Sequence, residues 1–345
     1  MINIKKINEI LDRYSNKKYI TGLAFKVYDE KTNKIISENR GNIKKDSVFY
    51  IASTTKLFTS AIILQLVEEN KIQLQTKVAD LLERKIMDGL HVYKGVDYSK
   101  EITIRNLMMQ TSGLPNYFSE HNFNKKSLEQ RLTANIDVKY SFEDTIEWSK
   151  SYTPKFSPGK KGMAYYSDTN YQLLGRIIEV ITNKTYHQNI SERIINKLKL
   201  KDTYLYRNPS DTRPVALNYK GLKLNIPNAM ASFGPDGGIV SNLDDLMIFI
   251  RSFFGNSLFD TKVFSGLHYN KIFFPLEYGL GFMRFNPPIF ITAFKKIPAL
   301  IGHSGLSGAL AYYCPEKKIY IVGTVNQIYK PQISYNLITR ILLST

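Results

Sequence analysis

The stretch Val48-Phe49-Tyr50-Ile51-Ala52-Ser53-Thr54-Thr55-Lys56 joins an uninterrupted apolar run to a Ser-x-x-Lys element, and apolar residues then recur at Leu57, Ala61, Leu64 and Val67. That spacing predicts a long amphipathic helix over Thr54 to Glu69. On a helix the i, i+3 offset brings the Ser53 hydroxyl and the Lys56 amine to one face. A hydroxyl at a helix start sits where free N–H groups and the positive end of the dipole favour developing negative charge. The plainer reading is a capping serine and a solvated lysine. Two more literal copies, Ser15 to Lys18 and Ser157 to Lys160, lack the apolar run and the following helix, so context singles out Ser53.

Upstream, Ile4, Ile7, Leu11 and Tyr14 repeat at helical spacing, and Ile20 to Tyr28 and Lys34 to Glu38 predict two strands around the turn Lys31-Thr32-Asn33. Downstream, mostly helical segments and polar loops are expected to about residue 290, with turn clusters at Ser157-Pro158-Gly159 and Gly234-Pro235-Asp236-Gly237-Gly238. Strands return at Ala309 to Cys314 and Ile319 to Val325, and a helix closes the chain from about Pro331 to Leu343. A lone hairpin is barely stable, so the terminal hairpins are expected to join in one antiparallel sheet flanked by the first and last helices. The expected fold class is α+β, in a single domain over 1–345. Its sheet part is expected at about 1–50 and 295–345, and its large, mainly helical part at about 51–294.

With 345 residues and 43% apolar content, the chain is ordinary globular material. Its net charge of +17 is scattered rather than clustered, so nucleic acid is not the expected partner. The charge suits peripheral attraction to anionic membrane or cell-wall surfaces, and oligomeric state is not readable. The single Cys314 excludes an intramolecular disulfide and reads as inert packing at a strand end. His91, His121, His187, His268 and His303 show no metal-ligand spacing, so neither metal nor cofactor is expected. No apolar window is long enough to span a bilayer, and the N-terminus lacks the apolar core of a secretion signal. A cytoplasmic location is expected if Met1 is native, and an envelope or extracytoplasmic one if a leader has been removed.

Two further elements carry chemistry. Tyr166-Ser167-Asp168 offers a tyrosine that, beside a lysine in a partly desolvated cleft, can move a proton. Gly302-His303-Ser304-Gly305-Leu306 precedes the late strands, where it can present a backbone N–H to an oxyanion and polar groups to a substrate. It is not a Gly-x-Ser-x-Gly elbow, because Leu306 follows Gly305 and no βαβ alternation surrounds it.

In order, these elements resemble the serine β-lactamase and penicillin-binding superfamily, in its class C-like branch with Ser-x-x-Lys, Tyr-x-Asn and His-x-Gly boxes. Ile104-Arg105-Asn106-Leu107 leading into Gln110-Thr111-Ser112-Gly113-Leu114-Pro115 looks like the same branch. So do Phe156-Ser157-Pro158-Gly159 and Gly237-Gly238-Ile239-Val240-Ser241 with Asp244-Asp245-Leu246. These extra boxes are expected to be structural. The resemblance implies Ser53 as nucleophile, Lys56 and Tyr166 as proton carriers, and the N–H groups of Ser53 and Leu306 as the oxyanion hole. It also implies Asp168, Asn170, His303, Ser304 and Gly305 as substrate contacts.

The chain departs from the branch at Asp168, where the pattern has Asn, and at His303, where true β-lactamases have Lys. A carboxylate accepts hydrogen bonds without donating, so Asp168 favours a substrate N–H or ammonium and repels a carboxylate. A histidine near pKa 6.5 is largely neutral at pH 7, which weakens the hold on a penicillin carboxylate. The expected activity is therefore serine hydrolysis of an ester, or of an amide in a D-amino-acid peptide, with a β-lactam as substrate or inhibitor. A β-lactamase proper and a non-hydrolytic penicillin-binding or wall-associated scaffold are the alternatives.

Overall fold

The computed structural model describes residues 3–121, 126–289, 292, 295 and 297–345. Its largest element is an eight-stranded antiparallel sheet. The strands are β1 (Gly22–Asp29), β2 (Lys34–Gly41), β3 (Asn270–Phe273), β4 (Leu276–Tyr278), β5 (Met283–Phe285), β6 (Leu300–Ser304), β7 (Ala309–Cys314) and β8 (Ile319–Thr324). They run in the order β3-β4-β5-β6-β7-β8-β1-β2, so β8 closes onto β1 with Tyr320 opposite Tyr28 and Val322 opposite Lys26. The two terminal hairpins thus share one sheet, as their marginal individual stability requires.

Residues 270–285, expected within the helical part, instead add three strands to the sheet and move its boundary. Each of these segments is only three or four residues long, too short to show a period-2 pattern.

Strand alternation sorts the two faces. Lys26 and Tyr28 face helix α4 (Leu243–Phe254), where Lys26 pairs with Asp244 and Arg251 lies 3.9 Å from the Tyr28 ring centre. Tyr312, on the opposite face of β7, meets Tyr335 of the closing helix α5 (Gln332–Leu342). Helix α1 (Ile4–Ser15) packs beside α5 with Ile7, Leu11 and Tyr14 buried, and the Asn3 side chain accepts the Lys6 N–H to cap its start.

Helix α2 (Thr55–Glu68) departs from its expected amphipathic character. Every residue from Thr55 to Leu66 is buried, because the helix lies between α4, where Phe58 stacks on Phe249, and helix α3 (Thr169–Thr182). Polar residues at Thr59 and Ser60 are tolerated because both are hydrogen-bonded, Thr59 donating to the Pro235 carbonyl and Ser60 to the Gly281 carbonyl.

The apolar run before Ser53 belongs to a three-stranded ladder in the helical part. Phe49 pairs with Ser241 and Tyr50 with Val240, while Ile239 also pairs with Leu205. The Ile51 N–H donates to the Ile239 carbonyl at 3.0 Å. This ladder fixes the entry to α2 from one side and β6 fixes it from the other.

Candidate active site

Ser53 lies in the short 3-10 turn Ala52–Thr54 that opens α2. The turn is reached through Ala52 at φ +45°, a left-handed conformation that costs an alanine about 1–2 kcal/mol. The ladder to Ile239 holds it there. The end of β6 abuts the same turn: a Cβ on Gly305 would stand 2.3 Å from the Ile51 carbonyl oxygen, so only glycine lets the strand approach this closely. Leu306 is thereby brought beside Ser53. Among the described residues neither the Ser53 nor the Leu306 backbone N–H has an acceptor. A paired set of free donors at a nucleophile is what an oxyanion requires.

Lys56 is fully buried and spends all three donors of an ammonium. It donates to Ser53 Oγ at 3.0 Å, to Asp168 Oδ1 at 2.5 Å and to the Asp236 carbonyl at 2.7 Å. The two decoy Ser-x-x-Lys copies make no such set: Ser15 ends α1 bonded to its own helix, and Ser157 lies in a turn closed by the Lys160 N–H.

Tyr166 covers this cation, its ring centre 5.2 Å from Lys56 Nζ. Burial, and then the Asp168 charge, push its phenol well above the ordinary range, with the hydrogen-bonding influence of Ser53 acting the other way. Tyr166 is therefore held as a neutral phenol rather than as a standing phenolate.

The Tyr box is positioned by the stretch that begins at Gln110. Gln110 Oε1 accepts from Ser167 N and Asn170 Nδ2, Asn116 Oδ1 accepts from Asp168 N, and Ser167 and Thr169 both donate to the Pro115 carbonyl. Gly113, at φ +76°, passes so close to Phe156 that a Cβ would lie 2.0 Å from its carbonyl oxygen. The extra boxes thus serve as scaffold for the site.

Two expected substrate contacts are corrected. Asn170 is fully buried, with Oδ1 accepting from Ser112 and Nδ2 donating to Gln110, so both ends of its amide are committed within the scaffold. His303 is also fully buried. Its Nδ1–H donates to the Ser304 carbonyl, so Nε2 is left to accept from the Tyr278 hydroxyl at 3.1 Å. Tyr278 in turn meets Tyr171, and Tyr171 meets Ser60. Burial, reinforced by the Lys56 charge, lowers the imidazole to about pH 3, so His303 is neutral and presents nothing to a ligand. The alternation of β6 explains this: His303 points into the packed interface with the helical part, while Ser304 points to the α5 face, bonded to Tyr335. Ser304 and Gly305 do line the cleft.

Two residues outside the expected set belong to the site, Asp236 and Glu129. Asp236 is buried beneath Lys56, its carboxylate receiving the Tyr117 hydroxyl at 2.6 Å and Gln172 Nε2 at 3.1 Å. Burial, and then the neighbouring Asp168 charge, raise it to about 6. In sequence it reads only as a turn residue. Glu129 is half-buried at the cleft, has no side-chain hydrogen bond or ion pair among the described residues, and is raised by burial and by Asp168. No sequence pattern marks it.

The cleft divides at Ser53 into two pockets that share Phe118, Glu129, Asp168 and Leu306. One, of about 60 Å³, is walled by apolar side chains such as Met230 and Ile226. The other, of about 320 Å³, holds Tyr166, Asn116, Ser119 and Ser304.

Comparison with known proteins agrees with this architecture. The Beta-lactamase family matches residues 7–343, and the chain belongs to that family. The teichoic acid D-alanine hydrolase of Staphylococcus aureus (strain MRSA252) is 28% identical over 243 residues, covering 69% of this chain and 54% of the relative. The match thus spans about half the length of the curated relatives. Among solved structures, a D-stereospecific amidohydrolase from Streptomyces sp. shares the fold with TM-score 0.78 at 22% identity, covering 97% of each chain. The D-amino acid amidase from Ochrobactrum anthropi SV3 aligns with TM-score 0.79 at 19% identity, covering 99% of this chain and 97% of the other.

Proposed function

We propose that this Beta-lactamase-family chain is a serine hydrolase that cleaves an aminoacyl ester or amide through an acyl-enzyme on Ser53. The observation that carries the reading is the buried Lys56, bonded at once to Ser53 Oγ and to Asp168, beside two N–H groups that have no acceptor among the described residues.

Ser53 Oγ attacks the acyl carbon and loses its proton to Lys56 as Lys56 passes one of its own to Asp168 Oδ1 across 2.5 Å. The Ser53 and Leu306 N–H groups hold the oxyanion, a contribution of roughly 2.7–4 kcal/mol per donor in comparable sites. On collapse the bond to the leaving group breaks, and the neutral Tyr166 gives that group its proton while regaining one from Lys56. Water then adds to the acyl-enzyme and releases the free acid and Ser53.

Glu129, and Asp168 bonded to Lys56, set two carboxyl groups in the cleft, an arrangement that suits a substrate ammonium better than the carboxylate of a penicillin. The neutral His303 offers no compensating charge. The D-amino acid amidase and D-alanine hydrolase relatives support an aminoacyl donor. The net charge of +17 supports approach to an anionic wall or membrane surface, weakened by salt.

The test is intact-protein mass spectrometry after a fluorophosphonate probe and, separately, benzylpenicillin, with Ser53→Ala as control. A fluorophosphonate adduct lost in Ser53→Ala is expected, with little or no penicilloyl adduct. No adduct with either reagent would favour the non-hydrolytic scaffold, and rapid penicillin turnover would favour a β-lactamase.

A further inference from the structure

Resting on the hydrolase reading, we infer that the apolar pocket beside Ser53 is the subsite for the acyl group, and that it selects an acyl group bearing a large apolar substituent. The two halves of the cleft differ in which catalytic group they contain. Tyr166, whose neutral phenol is the donor suited to the leaving group, lines only the larger, hydroxyl-bearing pocket. A leaving group must lie within reach of the proton it receives. The larger pocket therefore takes the alcohol or amine, and the acyl substituent turns the other way.

That other way leads past Ala52 and Gly237 into the pocket walled by Leu132, Leu217, Ile226, Met230, Phe233 and Ile328. These side chains form the cleft-facing edge of a hydrophobic cluster separate from the main core. The pocket offers about 60 Å³ of space to water-sized groups, several times what one water needs, so an alanyl methyl would leave much of the apolar wall wet. A side chain of leucine or phenylalanine size displaces that water and covers the wall. Glu129 and Asp168 stand at the mouth of the same pocket, where the ammonium of an aminoacyl group would lie. An apolar substituent can also come from a simple alkanoyl ester, which shares the side-chain chemistry without the ammonium.

Fluorophosphonate labelling of Ser53 first establishes that the nucleophile is active. Then kcat/KM is measured on the full chain for the p-nitroanilides of D-alanine, D-leucine and D-phenylalanine, and for p-nitrophenyl acetate, butanoate and hexanoate. At least about a tenfold rise from D-alanine to D-leucine is expected, since one or more methylenes in an apolar pocket discriminate by that order. A rise confined to the alkanoyl esters would assign the same pocket to a plain acyl chain. Met230→Trp, which fills the pocket, is expected to reverse the size preference, and Leu132→Phe to reduce it, with Ser53 labelling showing that each variant is folded. Flat or falling kcat/KM with substituent size, or an unchanged preference in a labelled Met230→Trp protein, would overturn the assignment. Absence of labelling in the unmutated protein would instead remove the hydrolase reading on which it rests.

Discussion

Asp168 and His303 are the two positions where the chain departs from its family pattern, and the fold treats them oppositely. Asp168 reaches the cleft and holds Lys56, whereas His303, three residues before Leu306, is sealed behind Tyr278 with both ring nitrogens occupied. Both substitutions alter charge in the alphabet of the sequence, but only one lies in the wall of the cleft. The difference arises from burial. A dry imidazole next to a lysine gives up its proton, while the Asp168 carboxyl is bonded to that lysine at the edge of the cleft.

The comparison can be broken most forcefully at His303. His303→Lys would bury a second cation near Lys56 with no anion to meet it, and a loss of about 3–5 kcal/mol in urea unfolding is expected. Unchanged stability would mean that position 303 has access to water. The same site has a pH signature. Its folded pKa lies below the unfolded value, so its contribution is complete above about pH 6.5 and declines as pH falls toward about 3. The stability difference between the unmutated protein and His303→Gln should shrink by up to about 1.4 kcal/mol per pH unit within that window.

At Asp168 the effect should appear in rate. Asp168→Asn keeps an oxygen for Lys56 but removes the proton acceptor, so a fall of about 10²-fold in kcat for aminoacyl esters is expected, together with faster acylation by benzylpenicillin. Equal kcat would show that the carboxylate carries no proton. The smallest effect belongs to Glu129→Gln, for which KM should rise roughly tenfold for substrates with a free amine and stay constant for their N-acetyl derivatives. Equal shifts in both would place the ammonium elsewhere.

Much of this was legible in the residues. The apolar run, the Ser-x-x-Lys spacing and the helix after it are local signals, and they place Ser53 and Lys56 correctly on one face. The terminal hairpins could be joined because isolated hairpins are unstable. The strands at 270–285 were not legible, since three- and four-residue segments carry no period. Asp236, Tyr278 and Glu129 were not legible either, because their partners lie 25 or more residues away in sequence or because no motif surrounds them.

By itself, then, the sequence determined the family, the sheet-and-helix architecture, and the serine, lysine and tyrosine that meet at the cleft. All of these follow from periodicity and short spacing along one chain. Which polar residues face substrate and which are walled in, and how Asp236 and Asp168 share one lysine, were decided only by the tertiary structure. Burial and desolvation are set by what packs on each side of a residue, and that depends on segments far apart in sequence.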